Sequence, residues 1–222
     1  MVKSFNQVAV IGAGTMGHGL ALLFALGGSR VCLVDVGRDC LEPGHGADQV
    51  APQGSGSATA VRYRHGRGLA LITPELALGE RIAESDIIVE AIVEKADAKK
   101  ELFHALGPLV GAETIVASTT SYMNVFSLAP EELQTRLLIA HFYNPPYIIP
   151  LVEIVPGPRT DAAVLGRVKD YLESLRMTCI TMKKYIPGFI VNRLQRALGR
   201  EIFHLIDEEV AESTSTGRPR RA

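Results

Sequence analysis

A glycine-rich turn near the N-terminus constrains the fold of this chain more than any other segment. The short apolar run Gln7–Ile11 leads into a G-x-G-x-x-G pattern made of Gly12, Ala13, Gly14, Thr15, Met16 and Gly17. Residues 16–26 then have the apolar density of a buried helix, and a second apolar run at residues 31–34 stops at Asp35. A strand, a tight turn, a helix and a second strand within roughly 30 residues predict a β-α-β unit.

The spacing of the three glycines suits the binding of a pyrophosphate. Gly12 permits the tight turn, Gly14 lets backbone amides approach the phosphates, and Gly17 lets the helix pack closely on the sheet. The N-terminus of the helix then faces the negative charge. Asp35 can accept hydrogen bonds from the adenosine ribose and repels a 2′-phosphate, which predicts NAD rather than NADP. The alternative for Asp35 is an ordinary turn residue at the end of a strand.

Further apolar runs alternate with helical patterns along the chain. The predicted strands cover residues 87–92, 114–117, 137–140, 151–155 and 179–182, and the predicted helices cover residues 96–106, 161–175 and 189–210. The first of these helices is expected to end at Gly107 and Pro108. Strands alternating with helices predict an α/β fold with a doubly wound, mainly parallel sheet of the Rossmann type.

Two segments do not fit this alternation. Residues 37–68 are rich in Gly, Pro, Ser and Arg, and we expect a mobile, irregular insert there. Residues 212–222 are polar and basic and are expected to be a frayed end. The expected organisation is therefore an NAD-binding domain over residues 1–186, which contains the insert, and a smaller region over residues 187–222.

Composition argues against several classes of partner. The 23 Lys and Arg nearly balance the 24 Asp and Glu, so there is no electrostatic footprint for nucleic acid or an anionic membrane. Cys32, Cys40 and Cys179 show no C-x-x-C spacing, which predicts neither a disulfide framework nor a metal site. No apolar stretch reaches the ~18 residues of a membrane span. We therefore expect a cytoplasmic protein that acts on a small molecule, with no nucleic-acid or membrane partner.

His141 and Glu153 are candidates for alcohol oxidation. His141 follows the predicted strand at 137–140 and is expected at the carboxyl end of the sheet, where open α/β folds bind ligands. Oxidising an alcohol requires a base for the hydroxyl proton, and histidine side chains titrate near neutral pH. Glu153 lies in an apolar run, where a carboxylate needs a partner. By spacing alone, a structural role for either residue is favoured over catalysis.

Five motifs, taken in order, resemble the 3-hydroxyacyl-CoA dehydrogenase family. They are the glycine turn at 12–17, DIIVEAIVE at 86–94, HFYNP at 141–145, PLVE at 150–153 and PGFIVNR at 187–193. The resemblance covers residues 8–210 and is interrupted at 37–68. It implies an enzyme that oxidises a 3-hydroxyacyl-CoA to a 3-oxoacyl-CoA by hydride transfer to NAD.

The resemblance also implies a role for each matching residue. His141 would be the general base, held by Glu153. Ser121 would hydrogen-bond the substrate oxygen, and Asn192 would orient the substrate. Three further residues fall where the family contacts NAD, namely Glu94, Lys99 and Asn144. Without the resemblance, ordinary structural roles are preferred for Ser121, Asn192 and these three residues.

The chain departs from the family pattern at three points. Residues 37–68 stand where the family has a helical hairpin that helps to bind CoA, but their composition is unsuited to long helices. A local reading-frame shift would explain this. Thr119 stands where the family usually has asparagine. The family also continues as an all-helical domain that closes the acyl pocket and makes a homodimer, and we expect only its first helix, at 189–210, to be present here.

Two alternative functions stay open. The segment NPPYIIPLVE at 144–153 resembles, at least as closely, the lambda-crystallin, gulonate and carnitine dehydrogenase branch, which oxidises hydroxy acids without CoA. The second alternative is a catalytically impaired NAD-binding fragment. It is favoured by the composition of residues 37–68 and by the expected loss of most of the helical domain.

Overall fold

The computed structural model describes residues 5–41 and 68–210. Contacts within the chain divide it into two compact units, Met1–Tyr185 and Ile186–Ala222. Most of the irregular insert expected at residues 37–68 lies outside the described residues, as does the tail expected to fray at 212–222.

The described part of the first unit is built on one eight-stranded sheet with the order β3-β2-β1-β4-β5-β6-β7-β8. The strands are β1 (Gln7–Ile11), β2 (Arg30–Val34), β3 (Ile72–Glu75), β4 (Ile87–Glu90), β5 (Ile115–Ser118), β6 (Leu137–Phe142), β7 (Leu151–Pro156) and β8 (Thr178–Thr181). Strands β1 to β6 are parallel, β7 is antiparallel to β6, and β8 is parallel to β7. The order 3-2-1-4-5-6 is that of the Rossmann fold, so the predicted fold class is confirmed.

Five α-helices lie wholly within the described residues. These are α1 (Thr15–Leu26), α2 (Glu80–Ala83), α3 (Ala96–Leu109), α4 (Ala162–Ser174) and, in the second unit, α5 (Val191–Asp207). Single turns of 3₁₀ helix lie at Asp39–Leu41, Val125–Ser127 and Glu131–Leu133. Among the described residues, no helix has both the length and the apolar composition needed to cross a bilayer.

The main core of the first unit lies where α1 and α4 pack on the sheet. The ring of Tyr171 from α4 stacks on Phe24 of α1 and contacts Phe5 edge-on. Val8 and Val10 of β1 belong to this core, and Ala9, which points to the opposite face of the strand, is buried as well. Because both faces of β1 are covered, its sequence is a continuous apolar run rather than an alternating one.

Strand β3 was not predicted, and its position explains why. Ile72–Glu75 contains Pro74, which has no N–H to donate to a neighbouring strand. In the described sheet β3 is an edge strand that pairs only with β2, and proline is tolerated at such an edge. Proline and the short length hide this strand from a pattern-based prediction.

The predicted end of the helix at Gly107 and Pro108 was wrong, because α3 continues to Leu109. Pro108 falls in the last turn, where the missing N–H removes a single helical hydrogen bond. A Cβ at Gly107 would meet only the carboxyl end of Glu132, an exposed side chain that can move aside, so glycine is neither required at this position nor the end of the helix. The burial of Leu106 beside it holds the last turn in place.

Candidate active site

The glycine turn joins β1 to α1 at the point where the strand order reverses. Gly12 has a φ of +105°, and a Cβ on it would lie 2.5 Å from the carbonyl oxygen of Ala91, just after β4. A Cβ on Gly17 would overlap the carbonyl oxygen of Gly12. Both positions therefore require glycine, and together they let α1 begin directly behind the turn.

The outer side of the same turn is open. Gly14 is exposed, and nothing lies within 4 Å of the position that a Cβ would take there. Gly14 also caps the N-terminus of α1, whose first N–H groups face an anion favourably. An open, amide-lined turn at the crevice between β1 and β4 fits the pyrophosphate of a dinucleotide.

Asp35 lies beside this turn. Its Oδ2 accepts a hydrogen bond of 2.7 Å from the N–H of Ala13, and its Oδ1 accepts one of 2.9 Å from the N–H of Gly37. Each carboxylate oxygen can accept a second hydrogen bond, so the side chain can hold the turn and still receive ribose hydroxyls. The ribose contact itself stays a prediction.

Lys99 is buried in a polar cluster beneath the site. Its side chain is 1% exposed, and its Nζ lies 2.5 Å from Oε1 of Glu90 and 3.2 Å from Oε2 of Glu94. Glu90, itself fully buried, also accepts a hydrogen bond from the hydroxyl of Ser118. A buried ammonium group requires such partners. The geometry shows Lys99 as an ion-pair residue, and its contact with NAD stays a prediction.

Glu94 connects this cluster to the loop that follows β5. Its carboxylate accepts hydrogen bonds from the hydroxyl of Thr120 and, at 3.2 Å, from the N–H of Ser121. Burial raises the pKa of Glu94, but the Thr120 hydrogen bond and the charge of Lys99 outweigh burial and hold the pKa below its ordinary value. The ionised carboxylate therefore helps to position Ser121.

His141 and Glu153 face each other across β6 and β7. They are register partners in this antiparallel pair, and Nδ1 of His141 lies 2.9 Å from Oε2 of Glu153. The two residues are 5% and 0% exposed. Because the ionised carboxylate can only accept hydrogen bonds, Nδ1 carries a proton and donates the hydrogen bond. In a neutral ring, Nε2 is then unprotonated and has a lone pair that can accept a proton.

The other ring nitrogen faces Ser121. The hydroxyl of Ser121 lies 3.2 Å from Nε2 of His141 and can donate a hydrogen bond to it. An oxygen atom placed against both groups would have a proton acceptor on one side and a hydrogen-bond donor on the other. The arrangement can therefore deprotonate an alcohol and hold the resulting oxygen.

Tyr143 also reaches Glu153, and sequence reasoning missed it. Its hydroxyl donates a hydrogen bond of 2.5 Å to the same Oε2 that receives His141. Burial, the hydrogen bond to Glu153 and the charge of Glu153 all raise the pKa of Tyr143, so the phenol stays protonated. The spacing of two residues from His141 is the signal that could have found it, since residues i and i+2 lie on one face of an extended chain.

The structure gives only a general position for two other predicted site residues, Asn144 and Asn192. Asn144 is exposed in the segment that follows β6. Asn192 lies in α5 of the second unit. Their predicted contacts with cofactor and substrate stay predictions. In the part of the chain that is described, no three His, Cys, Asp or Glu side chains are grouped as a metal site would require.

Comparison with known proteins places this site in a family. The family model for the NAD-binding domain of 3-hydroxyacyl-CoA dehydrogenase matches residues 7–185. The chain is 31% identical to 5-formyl-3-hydroxy-2-methylpyridine 4-carboxylate 5-dehydrogenase from Mesorhizobium japonicum, over 93% of this chain and 67% of that protein. It is 32% identical to L-carnitine dehydrogenase from Streptomyces coelicolor, over 92% of this chain and 64% of that protein.

A solved structure shows the same relationship. The crystal structure of 3-hydroxybutyryl-CoA dehydrogenase from Escherichia coli matches with a TM-score of 0.83 and 30% identity, over 94% of this chain and 44% of that one. The chain spans about two thirds of the length of the curated relatives named above. It belongs to the 3-hydroxyacyl-CoA dehydrogenase family of NAD-dependent oxidoreductases, with NAD as the cofactor and residues 7–185 as the NAD-binding domain.

Proposed function

We propose that this chain oxidises a secondary alcohol that lies beta to a thioester or a carboxyl group, with His141 as the general base. The first candidate substrate is a 3-hydroxyacyl-CoA, which would become a 3-oxoacyl-CoA. One observation carries the proposal: the hydroxyl of Ser121, the ring of His141 and the carboxylate of Glu153 form one hydrogen-bonded line at the carboxyl end of β6.

Each member of this line has a distinct task. Nε2 of His141 takes the hydroxyl proton, and Glu153 stabilises the positive charge that then forms on the ring. Ser121 donates a hydrogen bond to the substrate oxygen and turns away from Nε2 as the substrate enters. NAD, when bound at the glycine turn, would supply the acceptor for a hydride, that is, the hydrogen of the alcohol carbon together with the electron pair of its C–H bond.

The residues proposed to hold NAD lie at the ends of neighbouring strands. Gly12, Gly14 and Gly17 shape the pyrophosphate site, and Asp35 receives the adenosine ribose. Glu94 and Asn144 follow β4 and β6 and are proposed to contact the nicotinamide half. Lys99 is proposed to act through Glu94, to which it is bound in the polar cluster.

The second candidate substrate is a free hydroxy acid. The likeness to L-carnitine dehydrogenase supports it, because the name of that protein describes a hydroxy acid without CoA. The same proton transfer would serve both candidates. A homodimer, a cytoplasmic location and a place in fatty acid metabolism are further parts of the proposal for the whole protein.

Production of NADH by the full chain tests these candidates. We expect turnover of 3-hydroxybutyryl-CoA, measured beside L-carnitine and L-gulonate at equal concentration with NAD in excess. Turnover of a free acid alone would support the second candidate and contradict the first. Calorimetry with NAD on the same sample completes the test. Binding of NAD without turnover of any of the three would contradict both and favour the impaired fragment.

A further inference from the structure

Tyr143 and His141 share one acceptor atom. The phenol of Tyr143 lies 2.5 Å from Oε2 of Glu153, and Nδ1 of His141 lies 2.9 Å from the same oxygen. The two rings meet edge to face, with centroids 4.9 Å apart and planes at 71°. None of the sequence motifs singled out Tyr143 for a role, yet its hydroxyl donates to the same carboxylate oxygen as the proposed base.

The backbone explains why both side chains converge on one carboxylate. His141 is the fifth residue of β6, and Tyr143 follows the last residue of that strand, so both side chains point to the same side. Glu153 approaches from the antiparallel strand β7 and is fully buried. Two donors therefore converge on one oxygen of this carboxylate, Oε2, and fix its orientation.

Sharing an acceptor has an electrostatic consequence. A hydrogen bond donated by a neutral phenol withdraws part of the negative charge from the carboxylate oxygen. Less charge is then left to stabilise a proton on the imidazole ring. A histidine paired with an unshared carboxylate would hold its proton more tightly than one whose carboxylate is shared.

We propose that Tyr143 is a positioning residue that acts through Glu153, both fixing the carboxylate and limiting how strongly it holds a proton on His141. This inference rests on the proposed role of His141 as the base. Tyr143 thereby keeps the base neutral, and ready to accept a proton, at a lower pH than the carboxylate alone would allow.

Four other groups lie around the ring of His141 or the loop beside it. Glu153 faces the ring from β7, Tyr143 from the end of β6, and Ser121 from the loop after β5. Glu94 reaches this loop from the end of β4. The pKa of Glu94 is lowered and that of Tyr143 is raised, so neither changes charge where histidines titrate.

The test is an NMR titration of the His141 ring in the full chain, with and without NAD. The resonance is assigned by its loss in His141→Gln. In Tyr143→Phe we expect the titration midpoint to rise by about 0.5 pH unit or more, because Glu153 without the phenol's hydrogen bond keeps more negative charge to stabilise the protonated ring. The acidic limb of kcat/KM for alcohol oxidation should move in the same direction. A midpoint that is unchanged or lower would overturn the proposal.

Two further variants make the result specific. Tyr171→Phe removes a buried phenol that is hydrogen-bonded to Ser29 in the core, and it should leave the His141 midpoint unchanged. In a Glu153→Gln background, Tyr143→Phe should no longer raise the midpoint, since the shared charge is gone. A rise of equal size in that background would contradict a route through Glu153.

The titration separates this inference from the proposed function. It needs no substrate, so it reports on Tyr143 even when none of the three alcohols is oxidised. Absence of turnover together with a raised midpoint would contradict the proposed function and leave the coupling intact. Turnover together with an unmoved midpoint would support the proposed function and contradict the coupling between Tyr143 and His141.

Discussion

His141 of β6 and Glu153 of β7 are directly opposite each other in an antiparallel strand pair, with Nδ1 and Oε2 only 2.9 Å apart. Their distance is set by strand register, not by a flexible loop. A slip of one residue would turn one of the two side chains to the other face of the sheet. The hydrogen bonds of the β6 and β7 backbones therefore hold the proposed base and its carboxylate in place.

Replacing His141 should greatly lower the rate of alcohol oxidation and leave NAD binding intact. His141→Gln is expected to lower kcat by roughly 10²- to 10⁴-fold, the usual contribution of a positioned general base. The affinity for NAD, measured by calorimetry, should change little. His104→Gln is the matched control, because His104 is exposed on α3. Equal activity of the two variants would contradict the role of His141.

Replacing Glu153 should impair His141 as a base, because Glu153 fixes the orientation and the tautomer of its ring. Glu153→Gln keeps the shape of the side chain but can donate its amide to Nδ1 and so favour the wrong tautomer. We expect kcat to fall by roughly 10²-fold or more, by analogy with the buried aspartate of a serine protease triad. Glu131→Gln, at an exposed ion pair with Arg159, should retain activity. Steady-state kinetics of both variants provide the comparison.

Two glycines of the turn should respond differently to substitution. Gly12→Ala places a side chain at positive φ against the carbonyl of Ala91, and we expect destabilisation by about 1–3 kcal/mol. Gly14→Val meets open space in the protein, so we expect only the loss of a favourable N-cap residue, about 1 kcal/mol or less. NAD affinity should weaken about 10-fold or more, because the side chain occupies the phosphate side of the turn.

Thermal unfolding and NAD calorimetry on the two glycine variants check this pair of outcomes. Gly166→Ala is the control, since Gly166 lies within α4 and has open space around it. It should leave NAD affinity unchanged and raise stability by up to about 1 kcal/mol. Normal NAD binding by Gly14→Val would place the cofactor elsewhere.

Removing the buried ammonium group should cost stability. Lys99→Met leaves Glu90 as a fully buried carboxylate without its cation, and we expect a loss of roughly 3–5 kcal/mol in the free energy of unfolding. Denaturation in urea measures this loss. Lys100→Met changes the exposed neighbouring residue and should cost less than about 0.5 kcal/mol. Similar losses in both variants would contradict an essential Lys99–Glu90 pair.

Glu94 should make stability depend on acidic pH. Its pKa is lower in the folded chain than its ordinary value, so the folded state favours the ionised form. The stabilisation is therefore present above the ordinary glutamate pKa of about 4.3 and is lost as the pH falls through the folded value. The difference in unfolding free energy between the wild type and Glu94→Gln should be largest near neutral pH and shrink below pH ~4. A difference that grows on acidification would contradict this assignment.

Much of the fold could be read from local patterns. The run Gln7–Ile11, the three glycines and Asp35 are contiguous features whose physical requirements are met within one β-α-β unit, and the structure places them as expected. The later strands were found because central strands of a covered parallel sheet are apolar on both faces. Strand β3 and the end of α3 escaped because Pro74 and Pro108 are tolerated only through their positions at a sheet edge and in a last turn.

The sequence alone determined the class of fold, the dinucleotide turn and the identities of the candidate base and carboxylate, since these depend on residue type and short-range spacing. Tertiary structure decided which side chains meet. The pairing of His141 with Glu153 depends on the register of β6 and β7. The burial of Lys99 against Glu90 depends on how α3 packs on the sheet. The contact of Tyr143 with Glu153 depends on both β6 and β7. Such contacts join residues separated along the chain, and their energies depend on burial and geometry that exist only in the folded chain.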